Sequence, residues 1–171
     1  VEETCENFSA HNKSSYSVAW IDCITIGKSL GRSVLMLGEH AQTGSLSTVA
    51  KKNVHIPIYT PSMLLNKYTV SAFNALYYNK AMHNKVQKIS LEQFFYPLDA
   101  IGGWNKLYGK SGFIQYQFVL PKHDGIKNMR KILERIAATG AGSFLAVLKQ
   151  FGDNNENLLS FPMEGYTLAL D

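Results

Sequence analysis

Hydrophobic and polar residues alternate along several short stretches of the chain, and this alternation predicts β-strands. The predicted strands cover residues 16–24, 33–37, 85–89, 111–120, 143–151 and 165–171. Glycines and polar residues bound most of these stretches, and the small, polar residues at 41–53 predict a loop.

Two other stretches have the apolar spacing of a helix. Residues 67–82 carry Val70, Phe73, Tyr77 and Ala81 on one stripe. The second helix is predicted to be capped by Asp124 and ended by Gly140. Its stripe consists of Ile126, Met129, Ile132, Leu133, Ile136 and Ala137. Between the two helices, residues 91–108 contain Pro97 and a glycine pair, which favour short helical turns.

These elements predict an α+β fold, with helices on one face of a mostly antiparallel sheet. One face of each late strand is fully apolar and suits the helices. The opposite face mixes polar and apolar side chains, namely Phe113, Gln115, Gln117 and Val119, then Leu145, Val147, Lys149 and Phe151, then Thr167, Ala169 and Asp171.

The mixed face has two interpretations. A lysine and two glutamines are ordinary on the wet outer face of an antiparallel sheet. Large apolar residues on the same face, such as Phe113 and Phe151, instead favour a covered surface. Convergent amides, an ammonium group and a hydroxyl among hydrophobes are typical of a small-molecule site.

Composition narrows the class of protein. The chain has 171 residues, 46% of them hydrophobic and 18% charged, which is typical of one globular domain. The net charge of +4 is mild and the basic residues are scattered, so a nucleic-acid-binding function is not expected. Two cysteines, Cys5 and Cys23, give no disulfide framework and indicate a reducing, cytoplasmic compartment. No apolar run approaches the ~20 residues of a membrane span.

Conventional catalytic motifs are absent from the sequence. The Gly-Lys-Ser triplets at 27–29 and 109–111 lack the glycine that a phosphate-binding loop has five residues earlier. The five histidines lie far apart, so no metal site is expected. The chain starts at Val1 and its last predicted strand runs to Asp171, so we expect an excised piece of a larger protein.

Four segments together resemble a known family. They read SVAWIDCI, FFYPLDAIGGWNKLYGKSGFIQYQFVLP, SFLAVLKQFG and LLSFPMEGYTLALD, in the family's order and spacing from residue 16 to residue 171. The chain resembles the FAD-linked oxidases of the vanillyl-alcohol oxidase type, and within them the flavin subunits of decaprenylphosphoryl-ribose 2′-epimerases.

The resemblance implies that residues 1–171 are the substrate-binding domain of a two-domain flavoenzyme. The FAD-binding domain would lie mainly before Val1, with a returning segment after Asp171 that carries the lysine thought essential near the flavin. The implied reaction oxidises a secondary hydroxyl of a sugar or polyprenyl-phosphosugar to a ketone, with hydride passing to FAD. A short-chain reductase partner and association with the membrane surface through a lipid-linked substrate are also implied. No catalytic residue is expected in this chain.

The resemblance also assigns pocket residues by position. Gln115 and Gln117 match pocket glutamines, and Leu145, Val147, Lys149 and Phe151 match pocket residues of the following strand. Trp20 matches a pocket tryptophan, whereas Phe95 and Leu98 stand where the family has a tyrosine and a leucine. Thr167 replaces a usual asparagine, and Ala169 stands where mycobacterial members have a cysteine.

Two other functions remain open at this point. One keeps the fold but oxidises a free sugar, an aldonolactone or another alcohol with O2 as the acceptor. The other is a flavin-free binding module derived from such a domain.

Overall fold

A computed structural model describes residues 1–44, 54–82 and 86–171 of the chain. The helices are α1 (Glu2–Ala10), α2 (Lys67–Ala81), α3 (Leu91–Phe95) and α4 (Lys122–Thr139). The strands are β1 (Tyr16–Ile21), β2 (Ser33–Gly38), β3 (Val54–His55), β4 (Ile101–Gly102), β5 (Tyr116–Pro121), β6 (Ala146–Phe151) and β7 (Gly165–Leu170). Short 3₁₀ turns occupy Gly27–Ser29, Ser62–Leu64, Pro97–Ala100 and Trp104–Tyr108.

Five strands form the main sheet in the order β2-β1-β6-β7-β5, and every neighbouring pair is antiparallel. β3 and β4 form a separate two-stranded parallel ladder. The predicted α+β class with a mostly antiparallel sheet is confirmed.

The core lies between one face of this sheet and helices α1 and α4. Alternate strand residues point into it, and those of the central strands, such as Ile21, Leu148 and Leu168, are fully buried. From α4, Met129 and Leu133 complete the same cluster. The opposite face of the sheet is therefore not part of this core and can carry other segments or a binding site.

Helix α1 was missed by the sequence prediction, because residues 2–10 have a weak apolar pattern in which only Cys5 and Phe8 are buried. The prediction that Asp124 caps α4 is wrong. The helix begins two residues earlier, with Pro121 at the N-cap position, and Asp124 lies in the first turn. Proline fits there because the first helical amides have no intrahelical partner to lose.

Several strand bounds also differ from the prediction. β1 ends at Ile21, and the side chain of the next residue, Asp22, accepts a hydrogen bond from the Ile24 amide. β6 starts only at Ala146, and residues 113–115 precede the ladder of β5. The predicted strand at 85–89 is wrong for residues 86–89, which are irregular, and the predicted loop at 41–53 lies outside the described residues beyond residue 44.

Across the described ranges, we found no helix with the length and apolar character that a bilayer crossing needs.

Candidate functional site

The register of the sheet brings most of the predicted pocket residues onto one face, which we call the candidate face. Directly opposed residues of an antiparallel ladder point to the same side. Trp20 is opposite Val147, Val147 is opposite Ala169, and Ala169 is opposite Gln117. In the next row, Lys149 is opposite Thr167. This face is the one turned away from α1 and α4.

Ala169 forms a low floor in the middle of the candidate face. It is the smallest side chain of its row and has Val147 on one side and Gln117 on the other. The longer neighbours therefore rise around a shallow depression above β7.

Gln117 is tied to Thr167 by a hydrogen bond. The Gln117 Nε2 group donates to Thr167 Oγ1 at 3.0 Å, and Thr167 Oγ1 donates to the Phe118 carbonyl at 2.7 Å. Thr167 is 1% exposed, so its hydroxyl is committed to these two partners and does not face outward.

Gln115 is held in a similar way at the end of β7. Its Nε2 group donates to Asp171 Oδ1 at 3.0 Å, and the Tyr108 hydroxyl donates to Asp171 Oδ2. Burial and the neighbouring Asp171 carboxylate raise the pKa of Tyr108 far above its ordinary value. The phenol therefore stays protonated and remains the donor of this pair.

Lys149 is exposed on the candidate face. Within the ranges that the structure describes, it forms no ion pair with a carboxylate and no hydrogen bond with a protein group. Its row neighbour Thr167 is buried and neutral. Phe151, two residues along β6, packs edge-on against Phe161, with 6.1 Å between the ring centroids. An ammonium group in this setting is available for an anionic or oxygen-rich ligand.

An aromatic cluster stands beside the glutamines. Tyr108 stacks on Phe113 at 4.2 Å and on Phe144 at 5.3 Å between ring centroids, and Trp104 lies 5.3 Å from Phe113. Phe144 also meets Phe73 of α2, at 5.5 Å. The cluster bounds the Gln115 end of the candidate face with apolar surface, next to Leu145, which is half-buried.

Trp20 lies on this face but is covered. Its Nε1 group donates to the Phe144 carbonyl at 3.0 Å, and Tyr77 of α2 lies against its ring at 4.8 Å. Only 5% of Trp20 is exposed. Trp20 therefore packs between the sheet and α2 and is not open to a ligand in this structure.

Phe95 and Leu98 lie elsewhere along the same side of β1. Phe95 packs edge-on against Tyr16 at 4.8 Å, at the opposite end of β1 from Trp20, and remains 41% exposed. Leu98 is half-buried in the 3₁₀ turn that follows. The structure does not bring this pair into the row of Gln117.

A buried carboxylate at the end of β1 was not predicted from the sequence. Asp22 is 1% exposed and accepts hydrogen bonds from Arg32 Nε and Asn74 Nδ2, both at 2.9 Å. Thr25 donates to it from its hydroxyl at 2.5 Å, and the amide of Ile24 donates at 3.0 Å. The signal was an aspartate inside the apolar run YSVAWIDCI, since such a residue is buried only when its oxygens are paired.

These partners decide the ionisation of Asp22. Burial by itself would raise the pKa of its carboxyl group. The hydrogen bonds from Thr25, Ile24, Asn74 and Arg32 outweigh burial and hold the pKa below its ordinary value. The charged carboxylate therefore fixes α2, through Asn74, to the end of β1.

Two larger depressions, formed by residues that the structure describes, lie away from the candidate face. One, of about 580 Å³, lies between the 27–29 turn and α4, and another, of about 330 Å³, lies between α1 and β2. In the ranges described, no group of three His, Cys, Asp or Glu side chains is placed to hold a metal ion. The candidate face is thus an open surface whose chemistry comes from its amides and ammonium group.

Comparison with known proteins agrees with the resemblance seen in the motifs. No family model matches the chain. The chain is 37% identical over 168 residues to the decaprenylphosphoryl-β-D-ribose oxidase of Mycolicibacterium smegmatis. The match covers 92% of this chain and 36% of that oxidase, so the chain spans about a third of the relative's length. The predicted similarity to this kind of enzyme is therefore confirmed.

Proposed function

We propose that this chain is the substrate-binding domain of an FAD-dependent oxidoreductase that oxidises a secondary hydroxyl of a phosphosugar to a ketone. The expected substrate is of the polyprenyl-phosphoribose type, oxidised at its 2′-hydroxyl by hydride transfer to the flavin. One observation carries the proposal: Gln117, Lys149 and Ala169 lie together on an open sheet face in a chain similar, over most of its length, to an oxidase named for decaprenylphosphoryl-β-D-ribose.

The charges of the candidate face fit a phosphosugar. Lys149 offers three donors to a phosphate or sugar oxygen, with no carboxylate of the described residues competing for them. Gln115 and Gln117 offer amides to ring hydroxyls across the Ala169 floor. The stacked rings of Tyr108 and Phe113 keep water from one side of the bound sugar.

The described residues fit contact with the flavin ring and not with its nucleotide. The low floor at Ala169 leaves room for a flat group, whereas neither Gly-Lys-Ser triplet of the sequence has the spacing of a phosphate loop. When bound, FAD would supply the hydride acceptor. Lys149, Gln115 and Gln117 would bind and orient the sugar against it.

We further propose that the nucleotide is held by segments before Val1 and after Asp171, so that residues 1–171 form one domain of a larger polypeptide. The match to only 36% of the relative's length supports this division. A short-chain reductase that returns hydride to the ketone would be the partner of such an enzyme. A lipid-linked substrate would draw a cytoplasmic enzyme to the membrane surface.

The proposal is tested in the full-length flavoprotein by anaerobic, single-turnover loss of oxidised-flavin absorbance with a short-chain prenylphosphoryl-ribose. Lys149→Ala should weaken substrate binding or slow flavin reduction about tenfold to a hundredfold, because a charge-assisted hydrogen bond contributes about 1.5–3 kcal/mol. Lys127→Ala is the matched control, since Lys127 is an exposed lysine on α4, which packs on the other face.

Each outcome selects one function. Reduction by the phosphoribose with a Lys149→Ala defect supports the proposal. Reduction by free sugars or aldonolactones alone, with O2 as acceptor, selects the alternative oxidase. A full-length protein that purifies without flavin and gains none from added FAD selects the binding module.

A further inference from the structure

We propose that Thr167 and Asp171 are positioning residues that turn the amides of Gln117 and Gln115 so that both present their carbonyl oxygens to the ligand. This inference rests on the proposed function, because it concerns the same candidate face. It assigns hydrogen-bond polarity to the site: two acceptors at the glutamines and one cationic donor at Lys149.

The chemistry of Thr167 fixes the orientation of Gln117. A hydroxyl has one proton to donate, and Thr167 gives it to the Phe118 carbonyl at 2.7 Å, which can only accept. The group that meets Thr167 Oγ1 at 3.0 Å must therefore be a donor, so it is the Nε2 end of Gln117. The Oε1 end of this exposed amide then faces away from Thr167, and it accepts no hydrogen bond from a described residue.

The chemistry of Asp171 fixes Gln115 in the same way. A carboxylate only accepts, and Tyr108 already donates to one of its oxygens. Gln115 must therefore present its Nε2 group to the other oxygen, at 3.0 Å. Its carbonyl oxygen is left for a ligand.

This polarity selects the ligand. Lys149 and Gln117 are separated by β7, so their backbones stand about 10 Å apart in the hydrogen-bonding direction, with Ala169 and Thr167 between them. A molecule that spans them must donate at the glutamine end and accept at the lysine end. A sugar whose hydroxyls face the glutamines and whose phosphate faces Lys149 meets both conditions.

A first experiment needs no ligand. In the full-length protein with ¹⁵N-labelled glutamine side chains, Gln117→Asn and Gln115→Asn assign the two amide signals. The amide protons of Gln117 should exchange with water several-fold more slowly than those of a free glutamine. Thr167→Val should abolish this protection. The separate variant Thr167→Ser, which keeps the hydroxyl, should retain it. Rapid exchange in the parent protein, or protection that survives Thr167→Val in a folded protein, would overturn the assignment.

A second experiment reads the polarity directly through binding constants. The probes are a short-chain prenylphosphoryl-ribose and its analogues in which one ring hydroxyl is replaced by fluorine, which accepts but does not donate. At least one fluoro analogue should bind the parent protein about tenfold more weakly. In Asp171→Asn, Tyr108 still donates to the new amide oxygen, so the new NH2 group faces Gln115 and turns it to offer its own NH2 to the ligand.

The preference for hydroxyl over fluorine should therefore fall several-fold in Asp171→Asn, a change that simple loosening of the fold would not produce. Equal binding of hydroxyl and fluoro probes to the parent protein would overturn the inference while leaving the proposed function intact. If no phosphoribose probe binds at all, the proposed function fails, and the glutamine exchange rates still decide the amide orientation.

Discussion

Asp22→Asn is the substitution that most directly tests how α2 is fixed to the sheet. The change keeps the size of the side chain but removes its charge and puts an NH2 group where only acceptors stood. One carboxylate oxygen of Asp22 meets Arg32 and the Thr25 hydroxyl, and the other meets Asn74 and the Ile24 amide. Whichever way the new amide turns, its NH2 group faces a group that can only donate, either the Arg32 guanidinium or the Ile24 backbone amide.

The structure sets the size of the effect. The bond to Arg32 is charge-assisted and contributes about 1.5–3 kcal/mol, and a buried donor left without an acceptor costs about 1–3 kcal/mol more. Arg32 keeps a second contact, over the Tyr78 ring at 5.0 Å, and its side chain is partly exposed. We therefore expect the free energy of unfolding to fall by about 3 kcal/mol, the lower end of the range for broken buried ion pairs.

The assay is urea unfolding followed by circular dichroism, at pH 7 and at acidic pH. Because hydrogen bonds hold the folded pKa of Asp22 below its unfolded value, its stabilisation is present above the unfolded pKa of about 3.9 and is lost as pH falls through the folded pKa. The difference between the parent protein and Asp22→Asn should thus shrink below about pH 4. Asp153→Asn, an exposed aspartate in the β6–β7 connection, is the control and should change stability by less than about 0.5 kcal/mol. An Asp22→Asn protein within about 1 kcal/mol of the parent at pH 7 would refute the reasoning.

Two further predictions concern the core. Leu133→Ala, at a fully buried position of α4, should lower the free energy of unfolding by about 2–5 kcal/mol in urea titrations. In the full-length protein it should leave the proposed flavin reduction by the folded fraction nearly unchanged. A matching loss of flavin reduction would contradict the separation of core and site. Burial raises the pKa of Cys5 to about 11 and that of Cys23 to about 12, so neither thiol should react with iodoacetamide at pH 8 until urea unfolds the protein, as mass spectrometry would show.

Alternation along the late strands was enough to predict the two faces of the sheet. A strand directs successive side chains to opposite sides whatever its partners are, so Gln117 and Lys149 could be placed with the apolar residues of the same face from sequence alone. The regular apolar spacing of α4 was equally informative, since Met129 and Leu133 are both fully buried. The predicted stripe of α2 was less informative, because Phe73 and Tyr77 remain 45% and 37% exposed.

Strand order and polar pairing could not be predicted in this way, because they depend on contacts between distant residues. Asn74 and Asp22 are 52 residues apart, and Tyr108 and Asp171 are 63 apart. The apolar run around Asp22 indicates that a buried aspartate there must be paired, but it does not identify a partner as distant in sequence as Asn74. For the same reason Thr167 was predicted as a ligand contact, whereas its hydroxyl is engaged within the protein; a direct role in binding substrate stays a prediction.

The two carboxylates whose partners could not be predicted from the sequence have equivalent positions in the sheet. Asp22 lies one residue beyond the last β1–β2 pair, and Asp171 lies one residue beyond the last β6–β7 pair, so both stand at the same end of the sheet, on the candidate face, with Leu145 between them in register. Each binds a segment that covers that face: Asp22 binds α2 through Asn74, and Asp171 binds the 104–108 turn through Tyr108. At this end of the sheet, the same hydrogen bonds stabilise the fold and hold the segments that cover the candidate face. Helices α1 and α4, on the other face, supply the core. Loss of either carboxylate should therefore disturb ligand binding through the cover it holds, before it disturbs the packing of α4.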